Sequence, residues 1–542
     1  MVGQIGMLTD NDDGDDNASR SDANKRIHAA RELRTSEAEV DGRKPAAKNI
    51  NNADESRYAD KGGTYTKGLP HDAFGRVDLA AFASFKKALK SGKPSDFEAI
   101  TLGGTRTLNG PQSGLTFDLE GLDPVQFGQP EVPPAPRIDS DQSATELLEH
   151  YWGALMRDVS FTDYPGHPLA AEAALELGSQ PTYLGPRDST GKVTSSLLFR
   201  GAFPGEQLGP YVSQFLLQPT SFGAQPLPQL IESLAPNVDF MTSFADWLAV
   251  QNGNVPGQLE KDPQLRYCRN GRDLAAYTHV DVLFQAYFIA LLVAAKIGVP
   301  VNPGNPYAHS KTQNGFGSFG DPDFAGTLCE VAGRALNAVW YQKWMVHLRP
   351  RPEATGGIVH LIKTGQGNKS DVTLSNVILG SKGLQESFNK HGTWLLPQAF
   401  PEGSPTHPSY PTGHGTVAGA CITVLKFFFD GNQKVRPLLA NLGRDVVTAS
   451  GDGLSLQAYA GADRDHLDVN GELAKLAHNI SFGHGIHAGI HWRSDTDTSI
   501  LLGEAVALAF LRDRARIYNE RFTVSLTKFD GTTVTISNRG TP

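Results

Sequence analysis

Helical apolar spacing recurs through the C-terminal half of the chain and constrains the fold more than any other feature. It runs through segments near Asp273–Ile297, Asp323–Leu348, Gly413–Asp430, Val435–Val447, Gly471–Phe482 and Asp497–Tyr518. An apolar residue every three or four positions makes a helical face that must be buried against another element. Several of these segments place small residues between the apolar ones, so the helices can pack closely as a bundle. A further helix is expected near Ala144–Val159, where Leu147, Leu148, Tyr151 and Leu155 share a face. Strand signals are few. Arg521–Thr527 and Thr532–Ile536 flank Lys528-Phe529-Asp530-Gly531, and an Asp-Gly step between alternating segments predicts a hairpin. The expected fold class is mainly α: one large helical bundle with small β-hairpin additions and no internal repeat.

Residues 1–60 are polar, charged and poor in aromatics, and are read as a flexible or wrapping N-terminal arm. Residues 61–542 are expected to form a single helical domain with its site within 340–495. The net charge of -9 argues against a partner that is nucleic acid or a membrane surface. Any anion site must then be a local concentration of cations. Cys268, Cys329 and Cys421 lie far apart, with neither CxxC nor zinc-like spacing. The first thirty residues show neither a basic n-region nor an apolar h-region, so no signal peptide is evident. The most apolar stretch, Leu283–Val299, is interrupted by Gln285, Tyr287 and Lys296 and suits a buried helix better than a membrane span. A soluble protein is expected, cytoplasmic by default.

Three distant segments concentrate cations and histidines. The first runs Lys343-Trp-Met-Val-His347-Leu-Arg349-Pro-Arg351-Pro352. A tetrahedral oxyanion needs donors from several directions, and Lys and Arg supply charge-assisted hydrogen bonds. Taken alone, this segment is better explained as a basic helix C-terminus complementing the dipole. The second, Pro401-Glu-Gly-Ser-Pro-Thr-His407-Pro-Ser-Tyr-Pro411-Thr412-Gly413-His414, is a proline-held loop that opens a helix. Free backbone N–H groups at that helix start favour an anion, and Thr412 adds a hydroxyl. An ordinary capped helix start is the plainer alternative. The third is Phe482-Gly-His484-Gly-Ile-His487-Ala-Gly-Ile-His491-Trp-Arg493-Ser-Asp495. Here Asp495 stands four residues beyond His491, where it could fix one tautomer of the imidazole. The competing reading is a surface ion pair of Arg493 with Asp495 or Asp497.

Together the segments resemble the vanadium haloperoxidases and their relatives, the acid phosphatases with a histidine nucleophile. Those families carry a Lys…Arg-Pro motif, a Pro-Ser-Gly-His motif and an Arg…Gly-x-His…Asp motif in this order. The eight-residue step from Lys343 to Arg351, and the phrase Glu402-Gly-Ser-Pro-Thr-His407-Pro-Ser-Tyr-Pro411, are similar to the large bromoperoxidase branch. The likeness extends over roughly residues 260–520. It implies a vanadate cofactor held by Lys343, Arg351, Thr412 and Gly413, with His491 as the metal ligand. It implies His414 as acid/base, His407 beside the cofactor as a catalytic, halide-tuning group, Lys343 in a catalytic role, and Trp340 as a wall. Hydrogen peroxide, bromide or iodide and small organic acceptors would be the partners, in a homo-oligomer. Phosphate would enter the same site when vanadate is absent.

Two departures from the pattern stand out. Thr412 replaces the usual serine and keeps the hydroxyl. The arginine expected six residues before His491 is Gly485, leaving His484, Arg349 or Arg493 to supply that contact. Asp321 and Asp323 are candidate ligands for a structural calcium, although no loop shows a calcium spacing. The alternatives to a bromide-oxidising peroxidase are a histidine-nucleophile acid phosphatase and an anion-binding protein with a decayed site.

Overall fold

The computed structural model describes residues 18–538. Its principal helices are α1 (Ala18–Gly42), α2 (Asp141–Met156), α3 (Gly271–His279), α4 (Gln285–Ile297), α5 (Asp321–Tyr341), α6 (Pro352–Lys363), α7 (Gly413–Phe428), α8 (Val469–Phe482) and α9 (Arg493–Ile517). Among the described residues, strands form two-stranded antiparallel pairs: β1 (Thr220–Phe222) with β2 (Gln225–Leu227), β3 (Ile231–Leu234) with β4 (Lys261–Arg266), β5 (Val447–Ala449) with β6 (Leu456–Ala458), and β7 (Thr523–Thr527) with β8 (Thr533–Ser537). The last pair is the hairpin expected from Asp530-Gly531. Gly531 takes φ +81° and Lys528 N–H donates to the Thr532 carbonyl at 2.8 Å.

Helix α7 is the axis of the bundle, and all its residues are buried. It packs along α9 and α5. Small residues set that spacing: a Cβ added at Gly419 would land on the Ile500 carbonyl oxygen, and one at Gly503 on that of Thr416. The close approach lets Ile422, Val424 and Leu425 bury fully, each contributing about 1.5–3 kcal/mol. A leucine at Gly419 would force the two helices apart. Among the described residues, no helix is long and apolar enough to cross a membrane.

Several elements differ from the sequence expectation, each for a local reason. Helical spacing runs unbroken from Asp273 to Ile297, but the chain opens between His279 and Gln285, and Asp281 in that gap reaches the ring of His414. The segment expected over Val435–Val447 is helical only through Ala440; Gly443, at φ +68°, turns the chain toward β5. The expected helix to Leu348 changes character at Gln342, where the backbone widens into a π-helical turn, Gln342–His347, ended by Leu348 at φ +48°. Within the stretch read as an arm, residues 18–42 form the polar helix α1. It meets the body through the Glu37–Arg516 ion pair and the Asp41 carbonyl, which accepts from Gln126. Residues 1–17 lie outside the described part of the chain.

Candidate active site

The three cation- and histidine-rich segments meet at the entrance to α7. Two of them arrive on π-helical turns, Gln342–His347 carrying Lys343 and Gly483–His487 carrying His484. Such turns are uncommon and concentrate at functional positions, because they re-aim side chains that an α-helix would point elsewhere.

His491 lies at the centre. Its Nδ1 is 3.1 Å from Asp495 Oδ2, and Arg351 Nη1 is 2.7 Å from its Nε2. A guanidinium can only donate, so Nε2 carries the lone pair and Nδ1–H points to the carboxylate. That tautomer presents a basic nitrogen to the Arg351 guanidinium. Asp495 Oδ2 also accepts the Ser409 hydroxyl at 2.5 Å and Trp492 N–H at 3.1 Å, while its Oδ1 takes Arg349 at 2.7 Å.

Around this ring, Arg351 donates through Nε to the His407 carbonyl at 3.0 Å, and its Nη2 lies 3.0 Å from His407 Nδ1. The His407 ring is 4.8 Å from Trp340 and 6.4 Å from His491, centroid to centroid. Lys343 Nζ donates to the carbonyls of Pro408 and Ser409, both at 2.8 Å, and faces Trp340 at 6.0 Å. His484 stands 5.8 Å from His491 and stacks on His414 at 4.1 Å. His414 Nε2 is 3.0 Å from Asp281 Oδ1. Thr412 caps the approach to α7, and its N–H donates to the Asp495 carbonyl at 3.3 Å. Gly413 leaves room beside Trp340, where a Cβ would come within 3.3 Å of the indole. All eight residues singled out from sequence therefore share one region.

The electrostatics are those of a buried, cationic cluster. Burial, reinforced by Arg351 and Lys343, holds His407 and His491 well below the ordinary histidine range. Burial and the neighbouring histidines do the same to His484. Lys343 is pushed well below its usual value by burial and by Arg351, and Arg351 comes down to about 10, chiefly through burial. Neutral imidazoles are ligands and proton acceptors, and desolvated cations gain most by meeting an anion. Two buried polar atoms here have no protein partner, Thr412 Oγ1 and His484 Nδ1. A tetrahedral oxyanion of high charge fits this donor set.

The arginine missing at Gly485 is not replaced by another guanidinium. Arg349 is bonded to Ser494 and Asp495 and lies over Trp492 at 4.7 Å. Arg493 forks onto both oxygens of Glu149 and also reaches the Arg200 carbonyl, so it pairs with neither Asp495 nor Asp497. His484 is the candidate of the three that stays close. Sequence reading missed Asp281, which no motif marks, and Ser409, hidden in the proline-rich loop. It also missed Asn109, whose carbonyl accepts from Trp340 Nε1 at 3.1 Å and brings the N-terminal half to the pocket wall. Of the calcium candidates, Asp323 is committed to Arg514 and Tyr518, both at 2.7 Å. Among the described residues no group of three His, Cys, Asp or Glu side chains could hold a metal ion.

A helical bundle with a buried, cationic, histidine-centred cluster is the class of protein suited to holding an oxyanion. No protein-family model matches the chain. It is 34% identical over 557 residues to the vanadium-dependent bromoperoxidase of Corallina officinalis, covering 87% of this chain and 90% of that protein. The vanadium-dependent bromoperoxidase of Ascophyllum nodosum is also 34% identical, over 98% of this chain and 95% of its own. The homohexameric structure of the second vanadate-dependent bromoperoxidase of Ascophyllum nodosum superposes with a TM-score of 0.89 at 27% identity, over 99% of this chain and 93% of that one. The chain belongs to the vanadium-dependent bromoperoxidase family.

Proposed function

We propose that the protein binds vanadate at His491 and uses hydrogen peroxide to oxidise bromide, and iodide more readily, to a hypohalous-acid-like species that halogenates small organic acceptors. The observation that carries this reading is the meeting of Lys343, Arg351, Thr412, His414 and His484 around a His491 whose Nε2 lone pair, set by the Nδ1–H···Asp495 bond, faces the Arg351 guanidinium. Bound vanadate supplies a Lewis-acidic centre at which peroxide becomes electrophilic toward a halide.

The chain's own residues do the rest. Asp495 keeps the proton of His491 on Nδ1, leaving Nε2 as the metal ligand. Lys343 and Arg351 would place fixed positive charge against the oxygens of bound vanadate before substrate arrives, and Thr412 would add a neutral donor. His484 takes the place of the family's missing guanidinium. His414 accepts a proton from hydrogen peroxide, and Asp281, 3.0 Å from its Nε2, orients the ring and stabilises the imidazolium that forms. His407, between Arg351 and Trp340, shapes the approach of the halide, and a histidine there favours bromide.

Assembly as a homo-oligomer is supported by the homohexameric relative and by α1, a 25-residue polar helix with few contacts to its own body. The decisive experiment is bromination of an activated diketone by the purified protein with hydrogen peroxide and bromide, with and without orthovanadate. Vanadate-dependent bromination is expected. Phosphate-ester hydrolysis with no bromination would return the phosphatase reading, and no vanadate binding would mean a decayed site.

A further inference from the structure

Lys426, near the C-terminal end of α7, is only 3% exposed, yet among the described residues its ammonium has neither a hydrogen bond nor an ion pair. Of the other buried lysines, Lys67 pairs with Glu353 and Lys475 with Glu472, each at 2.5 Å, and Lys343 donates to two backbone carbonyls. Lys426 instead leaves its ammonium reachable from a cavity. The Lys426 ammonium lies 4.2 Å from the centre of the Phe529 ring. Both residues line an open cavity of about 260 Å³, walled by Gly205, Asn432, Asp468 and Gly471 and bordered by the β7–β8 turn. The cavity lies at the far end of α7 from the vanadate site, about 20 Å away at 1.5 Å per residue.

The surrounding charge selects the chemistry. Glu504 on α9, Glu206 in the loop before Gly209, Asp468 at the start of α8 and Asp530 in the hairpin all favour the cationic form of Lys426. The neighbouring cation Lys528 is already paired with Asp530 at 2.7 Å. Four carboxylates make this a poor site for a second anion, and a carbamate formed with carbon dioxide would reverse the charge at the nitrogen. Burial nevertheless brings the ammonium down to about 8. A desolvated amine of that kind is a nucleophile near neutral pH.

We propose that Lys426 is a covalent capture site for small aldehydes, which it binds as a protonated imine inside the cavity. The amine nitrogen attacks the carbonyl carbon, a C–N bond forms, and the carbonyl electron pair moves to oxygen, which takes a proton from the nitrogen. Loss of water from the carbinolamine then gives the iminium, so ammonium and aldehyde yield iminium and water with no net proton: the one released when the amine is freed is taken up again as water leaves. No oxidant or reductant is consumed. The iminium carries the same single positive charge as the ammonium, so the four carboxylates stay compensated and Phe529 still faces a cation.

The test uses the full-length protein with propanal and sodium cyanoborohydride, which reduces the imine and fixes it, followed by peptide mass mapping over time. Near pH 8, Lys426 is expected to gain its propyl group at least about tenfold faster than the exposed Lys261 and Lys382, because far more of it is uncharged. Labelling of Lys426 no faster than those two overturns the proposal. Lys426→Met, with its fold checked by circular dichroism, is expected to lose the rapid phase of incorporation and keep the slow surface phase. A rapid phase that persists would place the reactive amine elsewhere and likewise overturn it.

Discussion

Arg349 Nη1 lies 2.7 Å from Asp495 Oδ1, and both side chains are buried directly behind His491. The same carboxylate holds the His491 proton with its other oxygen, so this ion pair ties the site to the bundle. Arg349→Met leaves Asp495 buried without its cation, which costs about 3–5 kcal/mol. A lowered urea midpoint is expected, and Arg349→Met combined with Asp495→Asn should recover much of it. A single variant within about 0.5 kcal/mol of wild type would show that the pair contributes little.

His491→Ala is expected to abolish both vanadate binding and bromination, since no other side chain presents a lone pair at the centre of the pocket. Lys343→Ala should keep the fold but lose a charge-assisted bond worth about 1.5–3 kcal/mol, or roughly tenfold to a hundredfold in vanadate affinity. Calorimetric titration with orthovanadate measures both. Unchanged affinity in Lys343→Ala would remove that lysine from the oxyanion site.

Much of this arrangement was legible in the chain, and what was not has physical causes. Helices α7, α8 and α9 follow from apolar spacing because each is buried along a continuous face. The break after His279 does not, since the spacing continues through it while the chain opens there, with Asp281 in the gap bonded to His414. Motif residues such as Lys343, Arg351 and His491 stand out because cations, prolines and glycines cluster around them. Asp281 and Ser409 carry no such mark. Nor does the spacing of α2 mark Glu146 and Glu149, which are buried as partners of Arg349 and Arg493, so polarity at those positions signals pairing instead of exposure.

His478 is clamped between Glu206 Oε1 at 2.5 Å and Asp497 Oδ1 at 3.0 Å. Burial alone would lower its pKa, but the two carboxylates outweigh burial and raise it from 6.5 to about 9. A raised histidine pKa stabilises the fold fully below the unfolded value, and that contribution is lost as pH rises through the folded value. Wild-type stability should therefore fall between about pH 6.5 and 9 relative to His478→Gln, by on the order of 3 kcal/mol. Urea unfolding across that range reads the difference, and parallel curves for the two proteins would sink the assignment.

His407 touches Arg351 and faces Trp340, without reaching Asp495. Its removal should leave vanadate bound while changing the halide's surroundings. His407→Ala is expected to depress bromide oxidation several-fold more than iodide oxidation, because iodide gives up its electrons more easily and depends less on the pocket. Steady-state rates with the two halides decide it; an equal loss for both would point to a structural role.

Gly485 offers the converse experiment, a gain. A Cβ added there would meet the His491 carbonyl at 3.4 Å, His491 Cβ at 3.7 Å and Thr496 Oγ1 at 3.7 Å, all ordinary contacts, and its φ is not in the left-handed region. A side chain can therefore leave this backbone position without a clash at its Cβ, and Gly485→Arg puts a guanidinium at the family's position. One further charge-assisted bond is worth about 1.5–3 kcal/mol, so vanadate affinity should rise roughly tenfold to a hundredfold. His484→Ala should lower it in the wild-type background and matter less once the arginine is present, because the two groups compete for the same oxygens. Titration of the single and double variants measures that coupling. If the arginine raises affinity while His484→Ala costs the same in both backgrounds, His484 acts on His414 by stacking and does not reach the oxyanion.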